Sequence, residues 1–192
     1  MDKDSEMEKA DSLVGGGGPR EANAATLEKL RSAKLLVFDF DGVFTDNLVY
    51  VSSDGQEWVC CSRSDSLGLA MLRGKPIQLV VLSTETNVVV AKRCEKLRLE
   101  CVSGCADKWR ALQGLMAQRG IEADAVAFMG NDVNDLECMI QVGVAIAPAD
   151  SHPAILQMAD VVTPQRGGRG AIRQVAEWIL EVGDDVKKKM EK

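Results

Sequence analysis

The stretch KLLVFDFDGVFTDN, Lys34 to Asn47, constrains the fold more than any other part of the chain. Its first half is a continuous apolar run rich in strand-forming residues, the pattern of a strand buried on both faces. Its second half sets Asp39, Asp41 and Asp46 at and just beyond the end of that strand. An unpaired carboxylate in such a place costs several kcal/mol in order-of-magnitude terms, so the acids require a partner. Three further runs read in the same way: IQLVVLS, AVAFMG and, more weakly, GVAIAP. Between them lie segments of helical period, SLGLAMLRG, NVVVAKRCEKLR, DKWRALQGLMAQRG and NDLECMIQVG, several ending at glycine.

Strand followed by helix, repeated, implies right-handed crossovers and a parallel sheet with helices on both faces: an α/β, Rossmann-like three-layer sandwich. Ligands of such sheets bind beyond the carboxyl ends of the strands. One segment departs from the alternation. NLVYVSSDGQEWVCCS has two β-prone runs around a turn signal at Asp54 and Gly55, and reads as a β-hairpin cap over about 47–62.

With 192 residues, 46% of them hydrophobic, one domain is expected over 25–183. A short helix, AATLEKLRSA, opens it. Residues 1–24, acidic and interrupted by four glycines, read as a disordered tail, and 184–192 as a charged C-terminal tail. The net charge of −6 argues against nucleic-acid or anionic-membrane partners. No apolar run reaches the roughly 18 residues of a membrane span and the N-terminus lacks a signal pattern, so the expectation is a soluble, cytoplasmic protein. The six cysteines read as reduced thiols rather than a disulfide scaffold; Cys101 and Cys105 lack a second pair at zinc-ligand spacing. The single histidine, His152, lies in DSHPAIL, which reads as a helix start with Ser151 as cap and Pro153 in the first turn.

The strand ends gather chemistry. The first delivers Asp39, Asp41, Thr45 and Asp46; IQLVVL delivers Ser83, Thr84 and Glu85; AVAFM delivers Gly130, Asn131, Asp132 and Asp135. Capping needs one acid per helix start and accounts for Thr86 and Asn87, but here two acids leave one strand and two follow another. Clustered carboxylates repel unless a cation holds them, and oxygen donors without histidine or thiolate point to Mg²⁺. Lys108, at a helix start in CADKWRAL, suits a phosphate.

DFDGVFTD, then Ser83 after an apolar strand, then Lys108, then GNDVND resemble the four ordered motifs of the haloacid dehalogenase superfamily of phosphohydrolases, over about residues 34–180. The short hairpin, RSDSLGLAML, LSTETNVVVAKRCEKL and GGRGAIR resemble its minimal-cap branch: octulosonate 8-phosphate phosphatases and the C-terminal domain of bacterial sialic acid cytidylyltransferases. STETN leans towards the sialic acid side.

The resemblance implies Asp39 as nucleophile forming an aspartyl-phosphate, Asp41 as general acid and base, and Ser83, Thr84 and Lys108 as phosphate-binding residues. It implies Mg²⁺ held by Asp39, the Asp41 carbonyl and the fourth motif, Asn131, Asp132 and Asp135. Thr45, Arg63, Asp65, Ser66, Glu85 and Arg169 are implied around the site mouth, and a homotetramer closes the pocket. The implied substrate is a small phosphorylated sugar acid, nonulosonic or octulosonic.

Two departures stand out. The fourth motif begins Gly130-Asn131 where many relatives have Gly-Asp, leaving open whether Asn131 or Asp132 ligates and predicting weaker Mg²⁺ binding. Ser83-Thr84-Glu85 stands where octulosonate phosphatases typically have Thr-Gly-Arg, implying a different sugar preference. The alternative is a weakly active or non-catalytic oligomerisation module associated with sialic acid cytidylyltransferase. A two-component receiver domain also uses an acidic pocket and a lysine, but its phosphorylated aspartate is not followed by a second in a DFDG pattern.

Overall fold

Leu35–Phe38, β1, is buried at every position and alternates its side chains between two cores. The computed structural model describes residues 22–181. Leu36 and Phe38 enter a layer with helices α1 (Ala24–Ser32), α2 (Arg63–Met71), α3 (Val88–Leu97) and α7 (Ala171–Leu180). Leu35 and Val37 enter the opposite layer with α4 (Lys108–Arg119), α5 (Leu136–Gln141) and α6 (Pro153–Met158). A strand apolar on both faces demands cover on both, which is why the molecule has three layers.

The sheet is parallel throughout. Beside β1 lie β4 (Gln78–Leu82) and then β5 (Glu100–Val102) on one side. On the other lie β6 (Val126–Met129), β7 (Val144–Ala147) and β8 (Val161–Val162). The order β5-β4-β1-β6-β7-β8 reverses direction at β1, so the polar residues that follow β4, β1 and β6 share one crevice. The hairpin is a separate two-stranded sheet, β2 (Thr45–Val51) and β3 (Glu57–Cys61), beginning two residues earlier than expected. Its Leu48, Val49, Tyr50, Val51 and Trp58 are more than half exposed.

The expected tails lie outside the described residues except for residues 22–24: Ala22 packs against the core, Asn23 caps α1 with its side chain accepting from the Thr26 amide, and Ala24 is the first residue of the helix. The expected Ser151 cap is corrected: His152 caps α6, its Nδ1 accepting from the Ala154 amide at 3.2 Å. Ser151 is buried and donates to the Pro148 carbonyl. α2 also starts three residues before the periodic run that announced it, at Arg63, with Ser62 accepting from the Ser64 and Asp65 amides.

That shift relocates Asp65, expected at the site mouth. It is 2% exposed and points along α2 into the start of α7, where its carboxylate accepts from the Gly170 amide at 3.2 Å and the Arg173 amide at 2.9 Å. Gly170 has no side chain to cap α7, so Asp65 satisfies its orphan amides from another helix. Replacing Asp65 with Ala should lower unfolding stability by about 2–3 kcal/mol in urea titration, since buried amides lose their acceptor. A loss of substrate affinity with unchanged stability would instead return Asp65 to the site.

Candidate active site

The loop after β1 is built by aromatic packing. The Asp39 amide still donates to the Met129 carbonyl at 2.9 Å, so Asp39 keeps sheet register. The chain then turns back at Gly42, whose φ of +78° favours glycine. Phe40 and Phe44 are buried on either side of the turn, stacked at 5.5 Å, and Phe44 meets Phe38 edge-on at 5.7 Å. Thr45 closes the loop: its hydroxyl accepts from the Gly42 amide and donates to Asp41 Oδ1 at 3.4 Å.

The glycine-rich segment GGRGAIR supports this turn. A Cβ on Gly167 would lie 1.8 Å from the Gly42 carbonyl oxygen, and the Gly168 amide donates to the Val43 carbonyl at 3.0 Å. Only glycine permits backbone to lie against backbone so closely. Arg169 is exposed and pairs with Asp46 Oδ2 at 2.9 Å.

Charge in the site centres on Lys108, the first residue of α4. Its Nζ lies 2.7 Å from Asp39 Oδ1 and 2.6 Å from Asp135 Oδ1, and all three residues are at least 95% buried. Asp135 uses its other oxygen to accept from the amides of Asn131 at 2.9 Å and Asp132 at 3.3 Å. Asp135, expected as a metal ligand, has both oxygens engaged, one by Lys108 and the other by the fourth-motif backbone. Asp132 caps its own short turn, accepting from the Val133 amide at 2.7 Å.

Asn131 faces the reacting side. With its amide oriented to satisfy the network, Nδ2 donates to Asp39 Oδ2 at 3.2 Å and to the Asp41 carbonyl at 2.7 Å. The Asp39 carboxylate, the Asp41 carbonyl and the Asn131 side chain therefore converge on one point. Turned to present Oδ1, the amide completes an all-oxygen set that fits a hard divalent cation. Among the described residues no group of three His, Cys, Asp or Glu side chains forms a metal cluster, because carbonyl and amide oxygens supply two of these donors.

A cavity of about 320 Å³ opens over this point, lined by Asp39, Asp41, Ser83, Thr84, Asn131 and Asp132 among others. Ser83 is buried, its hydroxyl accepts from the Glu85 amide at 3.1 Å, and its carbonyl accepts from the Cys105 thiol at 3.1 Å. Glu85 folds back, accepting from the Thr86 and Asn87 amides, while Asn87 Nδ2 donates to Glu57 Oε2 at 3.0 Å. Of the expected site residues, Thr45, Arg63, Asp65, Ser66, Glu85, Lys108, Asp135 and Arg169 do not line the cavity; Ser66 instead accepts from Arg93 at 2.6 Å. The sequence reading missed Asn47, Val133 and Asn134, which do line it. Asn47 carried a signal, since asparagine tolerates the left-handed φ of +62° it adopts at the hairpin entry.

Burial pushes the Asp39 carboxyl up to about 7, with the Asp135 charge adding to the rise and Lys108 opposing it. Burial also raises Asp41, helped by the Glu85 charge. Burial raises the Cys94, Cys105 and Cys138 thiols, which keeps them protonated and unreactive at neutral pH. For Asp39 the folded protein holds a proton that the unfolded chain releases near 4, so its contribution to stability is present below that pH and is lost as pH rises towards 7. In chelator, the melting temperature should therefore fall between about pH 4 and pH 7, and fall less steeply in Asp39→Asn; equal slopes would contradict the assignment.

Residues 82–174 match the family described as haloacid dehalogenase-like hydrolase. The chain is 32% identical over 170 residues to 3-deoxy-D-manno-octulosonate 8-phosphate phosphatase of Escherichia coli K12, covering 88% of this chain and 89% of that protein. Among solved structures, a HAD-family hydrolase from Streptomyces avermitilis is 42% identical, with a TM-score of 0.77 over 79% of this chain and 87% of that one. The octulosonate 8-phosphate phosphatase of Moraxella catarrhalis, solved with magnesium ion, phosphate ion and KDO, is 28% identical, with a TM-score of 0.81 over 89% of this chain and all of that one. With its strand-end acids, its buried lysine and this extent of likeness, the chain belongs to the haloacid dehalogenase-like hydrolases, among the phosphatases of that family.

Proposed function

We propose that this protein is a Mg²⁺-dependent phosphomonoesterase that removes the terminal phosphate of a nonulosonic or octulosonic sugar acid. The observation that carries the reading is the division of labour between two neighbouring carboxylates. Asp39 is buried with Oδ1 held by Lys108 at 2.7 Å and Oδ2 beside Asn131, while Asp41 is partly exposed at the cavity wall, its carboxyl raised by burial and the Glu85 charge. One is placed to attack and the other to hold a proton.

Asp39 attacks phosphorus and the bond to the sugar oxygen breaks. Asp41 gives its proton to the departing alkoxide, and the product is an aspartyl-phosphate and a free alcohol. Asp41, now ionised, takes a proton from water, which attacks phosphorus and releases Asp39. Ser83, at the cavity wall, meets a phosphoryl oxygen, and Lys108, behind Asp39, lends its positive charge from a buried setting where fixed charges and donors count most. A bound Mg²⁺ would be held by Asp39, the Asp41 carbonyl and Asn131, and would offset repulsion between the phosphate and the nucleophile.

The sugar-acid class rests on the likeness to the octulosonate phosphatases. The rim adds chemistry of its own. Glu57, Asn87 and Glu85 form a hydrogen-bonded arc whose two acids act on Asp41, and acceptors of this kind suit the hydroxyls of a polyol chain next to the phosphate. A homotetramer is part of the proposal. An isolated two-stranded hairpin is marginal in water, and the exposed Leu48, Val49, Tyr50, Val51 and Trp58 offer it an apolar surface to bury. The cytoplasmic setting agrees with six free thiols. Asn131 and the apolar hairpin favour a second reading, an assembly module with little or no activity.

Phosphate release should be measured in Mg²⁺ from sialic acid 9-phosphate, the deaminated nonulosonate 9-phosphate and octulosonate 8-phosphate. One ester should be turned over well above the others, Asp39→Asn should fall to background, and Asp41→Asn should lose about 10²–10⁴-fold in kcat. No turnover above Asp39→Asn, with assembly retained, would support the module instead. In sedimentation, the wild type should run as a tetramer and the double variant Val49→Lys, Trp58→Lys as a smaller species; an unchanged mass would remove the hairpin from the interface.

A further inference from the structure

Asn131 does more than provide one ligand fewer. Its backbone is fixed on both sides: the amide donates to Asp135 Oδ2 at 2.9 Å, and the carbonyl accepts from the His152 amide at 2.8 Å. Its side chain fills the space left by Gly42, where a Cβ would lie 2.5 Å from Cγ. The residue is 7% exposed, so its freedom is reduced to rotation of the terminal amide.

In the orientation that satisfies the network, Nδ2 bridges Asp39 Oδ2 and the Asp41 carbonyl, the same two oxygens that would ligate a cation. A carboxylate at this position would meet the Asp39 carboxylate at hydrogen-bond distance and repel it until a cation arrived. The amide donates a hydrogen bond instead and leaves the oxygens paired in the cation's absence. The charge balance runs the same way. Counted fully ionised, Lys108, Asp39 and Asp135 carry one net negative charge, where an aspartate at 131 would make it two.

We propose that the Asn131 amide, by donating to the two oxygens that would hold a divalent cation, acts as a neutral stand-in for it, so that the cation binds weakly by itself and enters together with the phosphate. The cation must displace two hydrogen bonds and turn the amide to reach Oδ1, for which it gains an uncharged ligand. A phosphate dianion beside Lys108 and Ser83 restores the missing negative charge. Each ligand then strengthens the other by the same factor, as linkage requires. The device limits the time the site spends holding a cation without a phosphate. This inference rests on the proposed reading of the site as one for cation and phosphate.

The test is Mn²⁺ binding to the full chain, followed by the electron paramagnetic resonance signal of the free ion, with and without saturating inorganic phosphate. Phosphate should tighten Mn²⁺ binding to the wild type by at least about tenfold. Asn131→Asp should bind Mn²⁺ alone at least about tenfold more tightly than the wild type, with a smaller gain from phosphate. Its melting temperature in chelator should fall below that of the wild type and recover with Mn²⁺. Mn²⁺ binding to the wild type that is as tight as in Asn131→Asp, or unmoved by phosphate, overturns the inference while leaving the phosphatase reading intact. Absence of Mn²⁺ binding to both proteins in the presence of phosphate overturns the reading itself. Should Asn131→Asp fail to fold, the response of the wild type to phosphate decides.

Discussion

The site is held together by one ammonium shared between two buried carboxylates. Lys108 stands at the N-terminal end of α4, where the helix dipole disfavours a cation, and burial disfavours it further. Asp39 and Asp135 reverse both effects and hold the lysine charged. The same contacts connect elements distant in sequence: Asp39 leaves β1, Asp135 follows β6, and Lys108 arrives after β5. Breaking such a buried group by removing one partner costs about 3–5 kcal/mol, because the remaining charges are left without compensation. Geometry and electrostatics are therefore one constraint here. The lysine that orients Asp39 is also the reason two acids can be buried beside each other.

Around this group the loop carrying Asp39 and Asp41 is confined from two directions. Phe40 and Phe44 anchor it from the apolar layer, and Gly167 and Gly168 close on its backbone. Asp150 accepts from the Gly167 amide, and Asp65 holds the start of the helix that follows, so the support extends through β7 and α7 to α2. Residues that resemble ligands in the sequence, a glycine-rich run with an arginine and an aspartate after the hairpin, act here through backbone contacts. Rigid support of this kind holds reacting groups at fixed separation, which is a large share of what catalysis requires.

Much of the framework was legible in the sequence because burial on both faces leaves an unambiguous trace. Four buried residues in β1 and four in β6 permit no polar alternation, and the acids at their ends could only converge in a parallel sheet. The two-residue β8 and three-residue β5 are too short to show any period. The roles of individual acids were less legible for a different reason. Asp132 and Asp135 are alike in sequence, yet one caps a turn and the other neutralises a lysine 27 positions away. Sequence records which strand end carries a carboxylate but not which way it points. Asp65 and His152 repeat the lesson at helix starts, where a shift of one to three residues exchanges a capping role for a buried one.

Where selectivity resides follows from what the cavity wall lacks. Lys108 lies behind Asp39, and the residues that line the opening, from Asp41 and Asn47 to Asn134, include no cation. Glu57 and Glu85 lie on the rim and raise Asp41 by their charge. In the proposed reaction this surface accepts hydrogen bonds from hydroxyls near the scissile bond and repels a carboxylate placed there. The carboxylate of a nonulosonic or octulosonic acid, at the far end of the chain from its phosphate, must then lie past the rim, beyond what one copy encloses. The surface available there is the apolar hairpin of β2 and β3, which one copy leaves open. In the proposed tetramer, assembly through that hairpin would bury Tyr50 and Trp58 and set a second chain where it can meet the distal end of the proposed substrate.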